Sequence, residues 1–259
     1  MYQKLLNNLE ALKLEKTYSY LPNYLDSIAR PDVSIVDALL HLTEKELAFR
    51  NERASKAQVV LSGFPFVKTL DDFDFDYQPG VSKSRMQDFA SLRFMSGAEN
   101  LLFYGPPGVG KTHLAVAIGV VAASSRQITY FISCHDLIAQ LNKAHSENRL
   151  DQRIRHFAKY KLLIIDEIGY LPVDKQGANL LFQLVAKRYE KYSTIVTTNQ
   201  AFSKWADIFS SSVVAGAILD RLLHHSHVVK ITGPSYRLKD AMDIVGGSAA
   251  TAEKGALDD

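Results

Sequence analysis

The chain has 259 residues, 47% of them hydrophobic, enough for one substantial core and a small appendage. Thirty Lys+Arg against 28 Asp+Glu leave a net charge of +2, which excludes a chain that is polybasic throughout; any nucleic-acid surface must be local. The single cysteine, Cys134, excludes an internal disulfide and a zinc–cysteine cluster and suits a reducing cytosol.

Met1-Tyr2-Gln3-Lys4 lacks the apolar core of a signal peptide, and no run of about 18 apolar residues follows, so a cytoplasmic protein with no membrane contact is expected. Leu5, Leu6, Leu9, Leu12 and Leu14 recur at near-helical spacing, with Pro22 and Pro31 as punctuation. Ile35, Leu39, Leu40, Leu42, Leu47 and Phe49 predict a longer helix whose end is charged by Arg50, Glu52, Arg53 and Lys56. Residues 1–66 thus read as a small helical domain, either simply packed or used for assembly or partner docking. Gly63-Phe64-Pro65 marks its boundary, and residues 67–240 form the main domain. The aromatics of Thr69–Asp76 either cover a ligand or close the edge of the core.

Asn100–Tyr104 is an apolar strand, and Gly105-Pro106-Pro107-Gly108-Val109-Gly110-Lys111-Thr112 follows it directly. This is the phosphate-binding loop pattern G-x-x-x-x-G-K-[ST]. Glycines let several N–H groups converge on one phosphate at the start of the next helix, predicted over about 112–125. Lys111 would reach the β- and γ-phosphates and Thr112 would hold Mg²⁺; these loop residues and the adjoining His113 are the candidate nucleotide contacts. Ile128–Ile132 reads as a strand, and Ser133 with Asp136 as a capping-box start of a helix.

Segment 134–161 carries Lys143, Arg149, Arg153, Arg155, Lys159 and Lys161, together with His135, His145 and His156. It is either a solvated helix face or a patch for DNA phosphates, with Lys143, Arg149, Arg153 and Arg155 as the candidate contacts. Leu162-Leu163-Ile164-Ile165 is a buried parallel strand that ends in Asp166-Glu167. Asp166 can hold Mg²⁺ there and Glu167 can polarise an attacking water, a pair that favours ATP hydrolysis. No N-K-x-D element is present to specify guanine.

Asp174 caps a further helix, and Thr194–Thr198 is another strand. Asn199 then lies on the same sheet edge as Asp166, where it either orients the attacking water and γ-phosphate or serves a turn. Arg221 on an apolar helix and Arg237 after Ser235-Tyr236 are either surface arginines or guanidinium partners of a γ-phosphate. The eight histidines, His224-His225 included, show no reliable metal spacing. Residues 241–259 are small, polar and acidic, the composition of a disordered tail. The repeated βα units predict an α/β fold: a parallel sheet sandwiched by helices, plus the N-terminal helical domain.

Taken together, Gly105–Thr112, Asp166-Glu167-Ile168-Gly169-Tyr170-Leu171-Pro172, Thr198-Asn199, Ile218-Leu219-Asp220-Arg221-Leu222-Leu223-His224-His225 and Ser235-Tyr236-Arg237 resemble the IstB transposition helpers of bacterial insertion sequences. These are AAA+ P-loop ATPases similar to the DnaC helicase loaders. The resemblance covers about residues 1–240 and is weakest before Phe64. It implies that Asn199 is sensor 1, that Arg221 is an arginine finger acting in trans within a homo-oligomer, and that Arg237 is sensor 2. It further implies that segment 134–161 supplies helices lining a double-stranded DNA channel, and that the partner is a transposase. A replicative helicase loader is the alternative the same motifs allow. Asp136 departs from the pattern where a longer acid is expected, which touches only a helix cap; the tail after Asp240 has no counterpart.

Overall fold

A computed structural model describes residues 1–27 and 33–238. Pro31 and the expected tail at 241–259 lie outside the described residues. The chain divides into two compact units, Met1–Ala57 and the residues from Gln58 on. Ser62, before the Gly63-Phe64-Pro65 break, already belongs to the second unit, where its carbonyl accepts from Phe131 N at 2.8 Å.

The first unit contains α1 (Tyr2–Ala11), α2 (Glu15–Ser27) and most of α3 (Ile35–Leu61). Leu9, Leu21 and Tyr24 are its buried apolar residues among those described. The first N–H groups of α2 have no intrahelical acceptors. Glu46 of α3 supplies one: its Oε2 accepts from Lys16 N at 2.9 Å and Thr17 N at 3.0 Å. Arg50 then donates to Glu46 Oε1 at 2.9 Å and to the Lys13 carbonyl at 2.8 Å. Pro22 is no punctuation mark, since it lies inside α2. A mid-helix proline costs about 3 kcal/mol, and the burial of Leu21 and Tyr24 on either side of it offsets that cost.

The second unit runs α4 (Lys83–Ala90), α5 (Arg93–Ser96), β1 (Asn100–Tyr104), α6 (Lys111–Ser124), β2 (Thr129–Ser133), α7 (Cys134–Ser146), α8 (Leu150–Ala158), β3 (Leu162–Ile168), α9 (Lys175–Arg188), β4 (Ser193–Thr198), α10 (Trp205–Ile208), α11 (Ser212–Leu223) and β5 (Ser226–Lys230). The five strands form one parallel sheet in the order β2-β3-β4-β1-β5. Strand alternation sorts the core into two layers. Leu102, Leu163, Ile165 and Val196 pack with α7, α8, α9 and α11, while Leu101, Phe103, Leu162, Ile164 and Ile195 pack with α4 and α6. Ser133 caps α7 by accepting from Asp136 N at 3.0 Å, and Asp174 caps α9 by accepting from Gly177 N at 2.9 Å, as their sequence positions suggest.

The strand β5 is not foreseen by the sequence. Its Ser-His-Val-Val-Lys pattern is polar because, among the described residues, it is an edge strand paired with β1 alone and mostly half-buried or exposed. Parallel pairing places the ends of β1, β3 and β4 on one sheet edge, where ligands of open α/β sheets bind. No helix among the described residues is long and apolar enough to cross a membrane.

Candidate active site

The loop from Gly105 to Gly110 is clamped by what surrounds it. Gly108 and Gly110 are left-handed, with φ of +80° and +95°. A Cβ on Gly108 would enter the Ser235 side chain, and one on Gly110 would stand 2.6 Å from the Phe73 ring. Gly110 is also the N-cap of α6 and offers no side-chain cap, so the helix start is open to an anion. Val109 turns its side chain into the core and anchors the loop there.

Lys111 Nζ folds back on the loop and donates to the carbonyls of Gly105 at 2.8 Å and Pro106 at 2.6 Å. Burial pulls Lys111 below its usual pKa; the Asp166 and Glu167 carboxylates oppose this and Arg237 adds to it. Thr112 Oγ1 donates to both Asp166 oxygens, at 3.0 and 3.1 Å. Thr197 Oγ1 donates to Asp166 Oδ1 at 2.5 Å and accepts from Glu167 N at 2.9 Å. Burial pushes Asp166 above the usual carboxylate range despite both hydroxyl donors.

Adjacent strand residues normally face opposite sides. Here a register shift between Ile165 and Ile168 and a left-handed Glu167 (φ +61°) break the alternation. Asp166 is buried beneath the loop, while Glu167 is exposed and lines a cavity of ≈ 430 Å³. Pro107, Gly108, Gly110, Lys111, Thr112, His113, Asn199 and Arg237 line the same cavity, together with Phe66, Lys68, Asp72, Asp74, Tyr170 and Tyr236. Asn199 Oδ1 is buried without a hydrogen-bond partner among the described residues, an unmet acceptor at the wall of a ligand-sized space.

Arg237 is exposed, and the residues before it are pinned to the loop. Tyr236 N donates to the Gly108 carbonyl at 2.9 Å, Tyr77 Oη donates to the Ser235 carbonyl at 3.3 Å, and Tyr236 Oη donates to the Asp74 carbonyl at 2.5 Å. Burial, with Asp74 and Tyr77, pushes the Tyr236 phenol up to about 12. His113 Nε2 stands 2.9 Å from the Thr69 carbonyl, and its ring meets Phe73 edge-on at 5.3 Å. Burial pulls His113 below its usual value, with the Lys68 charge adding to this and the Thr69 carbonyl and Asp72 opposing it. Phe73, 4% exposed, closes the edge of the core; of the two roles open to the aromatics before the loop, it takes that one.

Arg221 lies away from this cavity. Its Nη1 donates to the Ala217 carbonyl at 3.0 Å, and its guanidinium stacks over Phe182 at 4.8 Å and Tyr189 at 6.0 Å. Lys143, Arg149 and Arg153 surround a separate groove of ≈ 340 Å³ between α7 and α8. Arg155 does not line it and pairs with Asp151 on its own helix; Arg149 pairs with Glu147. Arg153 donates to Gln140 and stacks on Phe157 at 5.1 Å. Cys134 is buried, and burial pushes its thiol up to about 12, so it is inert.

Sequence reasoning missed Thr197, which holds both acidic residues at once. A threonine inside the β-branched Thr194–Thr198 run, two positions before Asn199, is the signal that could have marked it. It also missed Ser235 and Tyr236 as the clasp on the loop.

The family described as IstB-like ATP binding protein matches residues 7–243. The chain belongs to this family. It is 50% identical over 239 residues to the ATP-binding protein named for insertion sequence IS232 of Bacillus thuringiensis subsp. berliner, covering 92% of this chain and 96% of that one. It is 41% identical over 232 residues to the ATP-binding protein named for IS21 of Pseudomonas aeruginosa, covering 90% and 88%. Among solved structures it is similar to the DnaC helicase loader, with a TM-score of 0.54 and 25% identity over 63% of this chain and 96% of that one. AMPPCP-bound DnaA from Aquifex aeolicus, at 17% identity and a TM-score of 0.53 over 63% of this chain and 49% of that one, shares the fold. The second unit of this IstB-like protein is therefore an AAA+ domain.

Proposed function

We propose that the protein is an ATP-hydrolysing helper of DNA transposition that multimerises on duplex DNA and assists a partner transposase. The observation that carries this is the meeting of Lys111, Thr112 and Glu167 at one cavity, with the buried Asp166 hydrogen-bonded to Thr112 at its wall, in a chain whose relatives are named as ATP-binding proteins of insertion sequences. The open start of α6 and the loop N–H groups receive the phosphates, and Lys111 leaves the Gly105 and Pro106 carbonyls to meet them. The Thr112 hydroxyl and the buried Asp166 carboxylate are a hard oxygen pair that suits Mg²⁺. When bound, Mg²⁺ neutralises charge on the β- and γ-phosphates. Glu167 accepts a proton from the attacking water, Asn199 uses its free acceptor to orient that water, and Arg237 faces the γ-phosphate.

Arg221 cannot serve the cavity of its own chain, which suits an arginine finger given to a neighbour. Lys143, Arg149 and Arg153, with Arg155 flanking, take DNA phosphates, so affinity falls steeply with salt. The first unit docks the transposase, and the protein works in the cytoplasm. A DnaC-type loader would use the same core; the lower identity to DnaC ranks it second, and pull-downs with a transposase and with a replicative helicase separate the two.

ATP turnover measured against protein concentration, with and without duplex DNA and beside sizing of the same mixtures, tests the proposal. Cooperative, DNA-stimulated turnover that tracks a large complex is expected, and Arg221→Ala should keep ATP binding but lose the cooperativity. Turnover by a monomer, indifferent to DNA, would overturn it.

A further inference from the structure

Glu190, His224 and His225 stand together where α9 and α11 end, and one ligand atom from each lies within 4.8 Å of the others. His225 Nε2 is 3.6 Å and His224 Nδ1 is 3.9 Å from the same Glu190 oxygen. Ligand atoms around a tetrahedral zinc at about 2.0–2.1 Å are themselves about 3.3 Å apart. The three donors are therefore within a side-chain adjustment of a zinc site. Two imidazoles and a carboxylate are a donor set zinc favours, with a fourth position for water. All three side chains are about half exposed, so an ion can reach them without opening the core.

The chain ends of two helices bring the donors together. The backbone places Glu190 in a left-handed conformation (φ +56°), uncommon for a non-glycine residue, just past the end of α9. The imidazoles follow α11 directly, with ring centroids 4.0 Å apart. The Tyr189 hydroxyl is hydrogen-bonded to His224 Nδ1 at 2.8 Å, and its ring lies beside the Arg221 guanidinium.

We propose that Glu190, His224 and His225 form a zinc-binding site that pins the end of α11 to the end of α9. Zinc on His224 Nδ1 displaces the Tyr189 hydroxyl from that nitrogen. Because Tyr189 also packs on Arg221, occupancy alters the setting of that arginine; this consequence, unlike the binding itself, rests on the arginine-finger role proposed above.

The test is competition for Zn²⁺ between the full-length protein and a chromophoric chelator. The native chain should take one Zn²⁺ that a His224→Ala, His225→Ala double variant does not. Loss of an outer-shell partner costs 10–100-fold in metal affinity, so Glu190→Gln, which removes a direct ligand, should cost about 100-fold. Tyr189→Phe should bind at least as tightly as the native chain, because it removes a competitor for Nδ1. Equal zinc uptake by the native chain and the double variant would overturn the site, and so would a loss of binding in Tyr189→Phe with Glu190→Gln unaffected. The chelator readout does not involve ATP, so it stands whatever becomes of the ATPase. If zinc binds but leaves Arg221-dependent turnover unchanged, the site is structural and only its link to the finger fails.

Discussion

Asp166 and Glu46 are almost equally covered, at 6% and 5% exposed, yet they sit on opposite sides of the ordinary carboxylate value. Burial is the largest influence on each and acts upward on both. Around Asp166 it prevails over the Thr197 and Thr112 hydroxyls and Lys111, helped by the neighbouring Glu167 charge. Around Glu46 the Thr17 N–H, the Arg50 guanidinium and the Lys16 N–H together outweigh it. Glu46 is an anion fully served by fixed donors, and it ties α2 to α3. Asp166 is held in place but left short of positive charge, which fits the Mg²⁺ role proposed for it.

Replacing the carboxylate breaks this comparison most directly. Asp166→Asn should lower Mg-ATP turnover by about 10³-fold, the scale of several kcal/mol of metal-borne charge stabilisation. The same change should raise the melting temperature of protein stripped of metal and nucleotide. The sign follows from the raised pKa: folding disfavours the ionised form, so the native state carries a deficit above its folded pKa that vanishes below the unfolded value. The amide oxygen still accepts from Thr197 and the NH₂ can donate to the Thr112 hydroxyl, while the charge is removed. A lower melting temperature would make Asp166 a structural carboxylate like Glu46.

Glu167→Gln should act on chemistry alone, because Glu167 is exposed and only its backbone is tied down. Loss of a general base predicts a fall in turnover of about 10²-fold, with nucleotide affinity and melting unchanged. Thr197→Val should be milder, about 10-fold, since it removes the hydroxyl that orients both acids without removing either. Single-turnover rates measure both, and full activity in Thr197→Val would mean that Thr112 alone positions Asp166.

That ordering also shows what the sequence could convey. The phosphate loop and the acidic strand end are legible because each is a contiguous run whose backbone geometry and chemistry are local. The capping residues Ser133 and Asp174 are legible for the same reason. Thr197 is not, because its role depends on a register shift in a strand 30 residues away. Nor is β5, whose burial comes from one neighbour and leaves no apolar run. Nothing in the sequence singles out Arg188, yet it is 2% exposed. It donates to the carbonyls of Phe157, Ala158, Tyr160 and Ser193, joining the end of α8 to the start of β4. Partners brought together only by tertiary contact leave no periodic trace. The metal-like cluster at His224-His225 stayed hidden likewise, since its carboxylate comes from the end of another helix.

The smallest expected effect tests the structural half of the comparison. Glu46→Gln keeps an acceptor for Lys16 N and Thr17 N but loses the charge that strengthens both bonds and the pairing with Arg50. A hydrogen bond to a charged group contributes about 1.5–3 kcal/mol, and a neutral one about 1, so a loss near 1–2 kcal/mol is expected in the first unit. Hydrogen exchange across α2 in the full-length chain reads it locally. The pH dependence fixes the cause. With its folded pKa below the ordinary 4.5, Glu46 contributes stability above that value and loses it as the pH falls through the folded pKa. Native protein and Glu46→Gln should therefore differ most at neutral pH and converge in acid. A difference that persists unchanged into acid would trace the loss to packing of the amide, and the charge at Glu46 would no longer be the counterpart of the charge at Asp166.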